Sequence, residues 1–155
     1  MYSPYAQIMQ KILVQNRRAR FDYEILERFE AGLVLKGHEV KSVKKGGAHF
    51  TGAFITINNG EAWLQHFHIA PYEHATLLNY EPDHTRKLLL HKKEILKITS
   101  ALDTKGVTVI PLECGLDKGR IKIELAIAQG KKQYDKRETI KKRDLKRHIE
   151  TNLRD

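Results

Sequence analysis

Asn59-Gly60 stands between two β-prone runs within Phe54 to Ile69, and this dipeptide is the preferred two-residue turn of a type I′ hairpin, in which both turn residues take positive φ. That turn fixes the register: Ile57 faces Ala62, Ile55 faces Leu64 and Thr56 faces Trp63. Apolar residues then lie on both faces of the ribbon. A hairpin wetted on one side does not look like this, so part of each face must be covered, as in a small barrel plugged or flanked by helices.

The rest of the chain supplies partners for that hairpin. From Tyr23 to Leu35, Ile25, Phe29, Leu33 and Leu35 share one parity while Glu24, Arg28 and Glu30 share the other, which predicts a strand with a bulge at Gly32. After Gly37, Val40 and Val43 three apart predict a short helix with Glu39 in its first turn, stopped at Gly46. Pro71 to Thr85 is polar and reads as a loop. His91 with Glu94 three residues on marks the start of a second helix, with Ile95, Ile98 and Leu102 on one face and Gly106 past its end. Val107–Leu116 and Arg120–Ala128 form a second hairpin around Asp117-Lys118-Gly119, whose alternation points Lys122 outward. The expected fold is therefore mostly β with short helices: about five or six antiparallel strands in a small barrel of the oligonucleotide-binding (OB) type, with two or three flanking helices and a basic C-terminal tail.

Charge separates the tail from the body. Of the net +9 on 155 residues, residues 1–129 carry 18 Lys and Arg against 14 Asp and Glu, whereas residues 130–155 carry 10 against 5. The last sixth of the chain thus holds more than half of the net charge, the pattern of a basic appendage that meets a polyanion. Leu145, Ile149 and Leu153 recur every four residues and Ile140 falls off that stripe. So thin an apolar edge does not offset an ordering entropy of about 1–2 kcal/mol per residue, and a tail disordered when free and helical on a partner is expected.

Several chemistries find no support. Cys114 is the lone cysteine, which excludes an internal disulfide and a multi-cysteine metal site and fits a cytoplasmic location. It shares parity with Ile110 and Leu112 and is expected in the core. No stretch approaches the roughly 20 apolar residues of a membrane span. His66 and His68, two apart in a strand, share a face, yet two ligands do not make a site. Ser3, Ser42 and Ser100 lie in no nucleophile setting and Gly46-Gly47 is too little glycine for a phosphate cradle. No catalytic residue, metal or cofactor is expected, and the chain reads as no enzyme.

Binding RNA instead requires cations for phosphates and flat or apolar side chains for bases. Arg17, Arg18 and Arg20 precede the first long strand, Lys41, Lys44 and Lys45 crowd one short helix, and Arg86, Lys87, Lys92 and Lys93 bracket three leucines. A generic single-strand-binding or ribosomal protein and a metal-dependent nuclease are the competing readings of these clusters.

Asn16-Arg17-Arg18-Ala19-Arg20, Phe29-Glu30-Ala31-Gly32, Gly37-His38-Glu39-Val40-Lys41-Ser42-Val43, Arg86-Lys87-Leu88-Leu89-Leu90-His91, and Gly130-Lys131-Lys132 followed by Asp135-Lys136-Arg137 together resemble the signatures of the small protein B family, in order over roughly residues 16 to 150. The resemblance implies a cytoplasmic adaptor, monomeric when free, that grips the tRNA-like domain of transfer-messenger RNA and delivers it to stalled ribosomes for trans-translation. It implies a division into a variable N-terminal extension over residues 1–15, an OB-type barrel over 16–129 and the tail over 130–155. Asn16, Arg17, Arg18, Arg20, Glu30, Lys41, Lys87, Leu89 and Lys122 would then meet the RNA. Gly130, Lys131, Lys132, Tyr134, Asp135, Lys136, Arg137, Ile140, Lys141 and Arg143 would meet the ribosome, in the empty mRNA channel near the small-subunit decoding centre. His49 stands where that family usually shows asparagine, Tyr134 where histidine is common, and Val43 where leucine is usual.

Overall fold

The Asn59-Gly60 turn closes the hairpin as its residues dictate: φ is 52° and 73° at the two positions, and Ile57 pairs with Ala62, Ile55 with Leu64 and Thr56 with Trp63. Around it, the computed structural model describes residues 9–131 and 133–154. In chain order the elements are β1 (Lys11–Gln15), α1 (Ala19–Asp22), β2 (Tyr23–Leu33), α2 (Gly37–Lys44), β3 (Ala48–His49), β4 (Phe54–Asn58), β5 (Glu61–Gln65), β6 (His68–Ile69), β7 (Arg86–Leu89), α3 (Lys92–Leu102), β8 (Val107–Asp117), β9 (Arg120–Gly130) and α4 (Gln133–Arg154).

Seven strands form one antiparallel sheet in the order β1-β8-β9-β2-β7-β5-β4, and β3 pairs with β6 apart from it. The mostly β, antiparallel architecture with short helices is as expected, but the sheet is not closed into a barrel. Among the described residues no ladder joins its outer strands, β1 and β4. The sheet curls until β4 packs on β8, whose two edges are already taken by β9 and β1, so the backbone of β4 finds no donors and acceptors there. The sheet also begins at Lys11, inside the segment expected to be an extension, because β1 runs along β8 from Lys11↔Leu116 to Gln15↔Glu113.

One face of the sheet carries the main core, with Phe29, Ile55, Leu64, Phe67, Leu88, Ile98, Ile123 and Leu125 nearly or fully buried, each contributing about 1.5–3 kcal/mol by leaving water. A smaller cluster of Ala19, Ile110, Leu112, Ala126 and Ala128 covers the other face where α1 lies. Besides a register shift in β1 between Ile12 and Val14, two irregularities in the long strands depart from simple alternation. The register shift in β2 falls between Ile25 and Glu27, not at Gly32. A second shift between Pro111 and Glu113 in β8 rotates the strand, so that Cys114 joins Val109 in the main core while Ile110 and Leu112 face the smaller cluster. The turn between β8 and β9 is also one residue tighter than expected, since Asp117 pairs with Arg120 around Lys118 (φ 50°) and Gly119 (φ 79°).

Helices α2 and α3 start where their capping residues stand. The Glu39 carboxylate accepts the Lys36 backbone N–H at 3.0 Å to open α2, and the Glu94 carboxylate accepts that of His91 at 3.0 Å to open α3. Glu39 is also 1% exposed and forms the hub of a buried cluster. Its Oε2 accepts from Arg86 Nε at 2.8 Å and lies 2.8 Å from His84 Nε2 and 3.3 Å from Tyr80 Oη. Arg86, 2% exposed, spends its remaining donors on the carbonyls of Phe67, His84 and Pro82 and on Tyr80 Oη. This network pins the loop between β6 and β7, which contains no helix or strand.

Candidate nucleic-acid interface

The sheet's outward face assembles three of the expected RNA-binding residues from distant parts of the sequence. Gly32 in β2 faces Lys122 of β9 on one side and Leu89 of β7 on the other, so Lys122, Gly32 and Leu89 form one row across three adjacent strands. Glu30 lies two residues along β2 on the same face. A Cβ on Gly32 would meet Leu89 Cβ at 3.4 Å, so glycine keeps the row low and leaves Leu89 room. A cleft of about 510 Å³ is lined by Glu30, Gly32, Leu89, His91, Glu94 and Lys122. Leu89, the last residue of β7, is 55% exposed and suited to contact with a base or ribose. Burial pushes the Glu30 carboxyl up, opposed by Lys122 and reinforced by Asp117 and Glu94. Among the described residues Lys122 forms no salt bridge, which leaves its ammonium available for a phosphate.

A second group lies where β1 turns into α1. Asn16 is committed to the scaffold: its Nδ2 donates to the Pro111 carbonyl at 2.9 Å and its backbone N–H to that of Leu112 at 2.8 Å. That anchoring displays Arg17, Arg18 and Arg20, all exposed, with the Arg18 side chain 3.6 Å from Asp22. On one side of them a cleft of about 660 Å³ is lined by Arg17, Arg18, His49, Thr51 and Phe54 among others. On the other side a cleft of about 340 Å³ includes Arg17, Arg20, Arg28, Glu113 and Glu124. Arg28 Nη1 donates to the buried Glu124 at 3.0 Å, whose carboxyl burial pushes up and Arg28 pulls down. Because Arg28 and Glu30 share a face of β2, the sheet joins the arginine group to the Leu89 row.

Other expected residues lie elsewhere or serve the scaffold. Lys41 is on α2, its ammonium 5.7 Å from the Tyr72 ring, with that of Lys45 5.3 Å from the same ring, and it lines neither the Leu89 cleft nor the arginine clefts. Lys87 points to the Leu89 side but is held at 3.2 Å by Glu61. Arg86, grouped with Lys87 by sequence, is the buried anchor described above and offers nothing to RNA. His66 has φ 56° in the gap between β5 and β6, so it does not continue a strand face to His68. His68 instead stacks on His49, with ring centroids 4.5 Å apart and planes 9° from parallel, and its Nδ1 lies 3.1 Å from Asp83.

The tail leaves the body beside the arginine group. Gly130 ends β9 opposite Tyr23. The Lys131 backbone N–H donates to the Asp22 carbonyl at 2.9 Å and its Nζ to the Arg20 carbonyl at 2.7 Å. Lys132 lies outside the described residues, as do the side chains of Tyr134, Asp135 and Lys136. Within α4, Arg137, Ile140, Lys141 and Arg143 are exposed, and the Arg143 guanidinium stands 6.0 Å from the Phe21 ring. The sequence had not singled out His91 and Glu94 for the Leu89 cleft or Arg28 as the link between groups. The parity that Arg28 shares with Glu30 was the available signal for the latter.

Three comparisons agree on what this arrangement resembles. A family model described as SmpB protein matches residues 13–155. SsrA-binding protein of Carboxydothermus hydrogenoformans is 49% identical over 146 residues, covering 94% of this chain and 98% of the relative. SsrA-binding protein of Chlorobaculum tepidum is 51% identical over 138 residues, covering 88% of each. A solved chain from work described as "tmRNA-SmpB: a journey to the center of the bacterial ribosome" superposes with a TM-score of 0.65 at 47% identity, covering 77% of this chain and 84% of that one.

Proposed function

The chain belongs to the SmpB family, and from that premise we propose that it is the RNA-binding adaptor of ribosome rescue, which holds transfer-messenger RNA and enters stalled ribosomes with it. The observation that carries this reading onto particular residues is the row of Lys122, Gly32 and Leu89 beside Glu30. It offers a phosphate contact, an apolar platform and a hydrogen-bond acceptor within one shallow cleft, the set a folded RNA with unpaired bases calls for.

In this reading the tRNA-like domain docks on the outward sheet face, with Glu30, Leu89 and Lys122 at one end and Arg17, Arg18 and Arg20 at the other, while Asn16 sets the turn that displays the arginines. Lys41 and Lys87 add to the attractive field. The curled sheet acts as an OB-type module over residues 16–129, to which β1 (Lys11–Gln15) is added at the edge. Residues 130–155 act as a separate unit, held to the body at Gly130 and Lys131, in which the stretch that forms α4 exchanges between disorder in the free monomer and a helix in the vacant mRNA channel near the decoding centre. Gly130 supplies the change of direction, and Lys131, Lys132, Tyr134, Asp135, Lys136, Arg137, Ile140, Lys141 and Arg143 supply contacts to ribosomal RNA. The protein works in the cytoplasm and catalyses nothing itself. Among the described residues no helix is long and apolar enough to cross a membrane.

Two variants separate the two halves. Lys122→Glu is expected to weaken binding of the tRNA-like domain by roughly 10- to 150-fold, the loss of a charge-assisted contact worth about 1.5–3 kcal/mol, measured by filter binding. Truncation after Gly130 is expected to keep that affinity within a few-fold and to abolish tagging of stalled chains in a reconstituted translation system. If truncation removed RNA affinity as fully as it removed tagging, the division of labour would be wrong.

A further inference from the structure

We propose that the 660 Å³ cleft between the arginine turn and the segment from His49 to Phe54 is a subsite for one unpaired nucleotide, its base stacked on His49 and its phosphate held by Arg17 and Arg18. The inference rests on the RNA-binding reading and adds to it a place and a residue.

The construction of the site begins with a two-residue ladder. Ala48 pairs with Ile69 and His49 with His68, which sets the two imidazoles directly opposite one another, close enough to stack. Their ring centroids are 4.5 Å apart and their planes 9° from parallel, while Asp83 Oδ1 lies 3.1 Å from His68 Nδ1 and fixes the orientation of the inner ring. His49 is exposed and lines the cleft. With one of its faces covered by His68, the other remains for a ligand ring, so a base placed there extends an existing stack of two. Phe54, 36% exposed, lines the cleft as well, together with Tyr23 and Phe50, and its ring lies 5.7 Å from that of His66.

Size and charge favour a nucleotide. The cleft falls in the ordinary range of small-ligand pockets, roughly 300–1,000 Å³. Arg17 and Arg18 also line it; among the described residues Arg17 forms no salt bridge, while Arg18 lies 3.6 Å from Asp22, itself in the lining, a contact that a phosphate would have to displace. A guanidinium pair facing an aromatic stack is the arrangement that takes a phosphate and a base together. A paired base cannot use it, because only an unstacked base presents a free π face to a side chain.

The test uses the full chain and a transcript of the tRNA-like domain of transfer-messenger RNA. His49→Ala and His49→Asn are expected to weaken binding by roughly 5- to 150-fold, the range for removing one base–aromatic stack. His49→Phe is expected to stay within about threefold of wild type, since stacking needs a flat ring and no proton. Chemical probing of the bound RNA is expected to find one unpaired base protected by the wild type and by His49→Phe and reactive with His49→Ala. Thermal unfolding of each variant checks the scaffold, which an exposed substitution leaves intact. The subsite is overturned if His49→Ala binds like wild type, if His49→Phe is as weak as His49→Ala with both folded, or if the same bases are protected in all variants. Those outcomes, with normal wild-type binding, leave the functional reading standing; failure of the wild type to bind the transcript would sink both.

Discussion

Glu39 and Arg86 illustrate how a charged residue in an RNA-binding protein can belong wholly to its scaffold. Removing Arg86 would leave a buried carboxylate unpaired, so Arg86→Met is expected to lower stability by about 3–5 kcal/mol, read as a shift in the urea unfolding midpoint. Burial alone would push the Glu39 carboxyl up, but the Lys36 amide, Arg86 and His84 outweigh it and hold the group below its ordinary 4.5. A carboxylate depressed in the folded state contributes stability that is present above its unfolded pKa and lost as pH falls through the lower folded value. Wild-type Tm is therefore expected to drop more steeply below pH 4.5 than that of Glu39→Gln, itself less stable at neutral pH. Cys114 follows the opposite logic, since burial pushes its thiol up to about 12. It is expected to resist thiol reagents in the native protein and to react at once in denaturant, and rapid labelling of the native state would contradict its place in the core.

At the scale of elements, the parts of the fold set by neighbours in sequence were legible and those set by neighbours in space were not. The register of β4 and β5 follows from two turn residues, and both ends of α3 follow from His91, Glu94 and the apolar spacing up to Leu102. The shift between Pro111 and Glu113 is masked by parity, because Ile110, Leu112 and Cys114 alternate as an unbroken strand would; its local signal is Pro111, since a proline in a strand paired on both edges belongs at a bulge. Beyond the shift, the backbone of β1 runs over Gly115. A Cβ there would stand 2.3 Å from the Lys11 carbonyl oxygen, so Gly115→Ala is expected to pry β1 from β8 at a cost of about 1–3 kcal/mol. Hydrogen exchange that accelerates over residues 11–15 and spares the hairpin of β4 and β5 would locate the damage. The site was legible in the same uneven way. Lys122 reads as outward-facing from alternation, yet nothing local distinguishes Arg86, which is buried, from Lys87, which is not. The arginine cluster is visible in sequence, whereas the His49–His68 stack requires the pairing of two-residue strands.

At the scale of the whole molecule, the surplus of positive charge is divided between the body, 18 Lys and Arg against 14 Asp and Glu over residues 1–129, and the appended segment, 10 against 5 over residues 130–155. Binding through phosphates releases counterions, so affinity is expected to fall linearly with salt on logarithmic axes, with Lys122→Gln lowering the slope by about one. The strand count and the two-sided hairpin fit a small barrel, closed or partly open, and the structure shows a sheet that is not closed into one. The sheet stays open because β1 occupies the edge of β8 that a closing strand would need. What remains decisive is whether the outward face reads a folded RNA or merely a polyanion. Competition binding answers this most directly: labelled tRNA-like domain bound to the full chain, challenged at physiological ionic strength with unlabelled transcript or with a homopolymer of equal length. Displacement by the transcript at concentrations at least a hundredfold below those of the homopolymer is the predicted result, and equal displacement by both would contradict the adaptor reading.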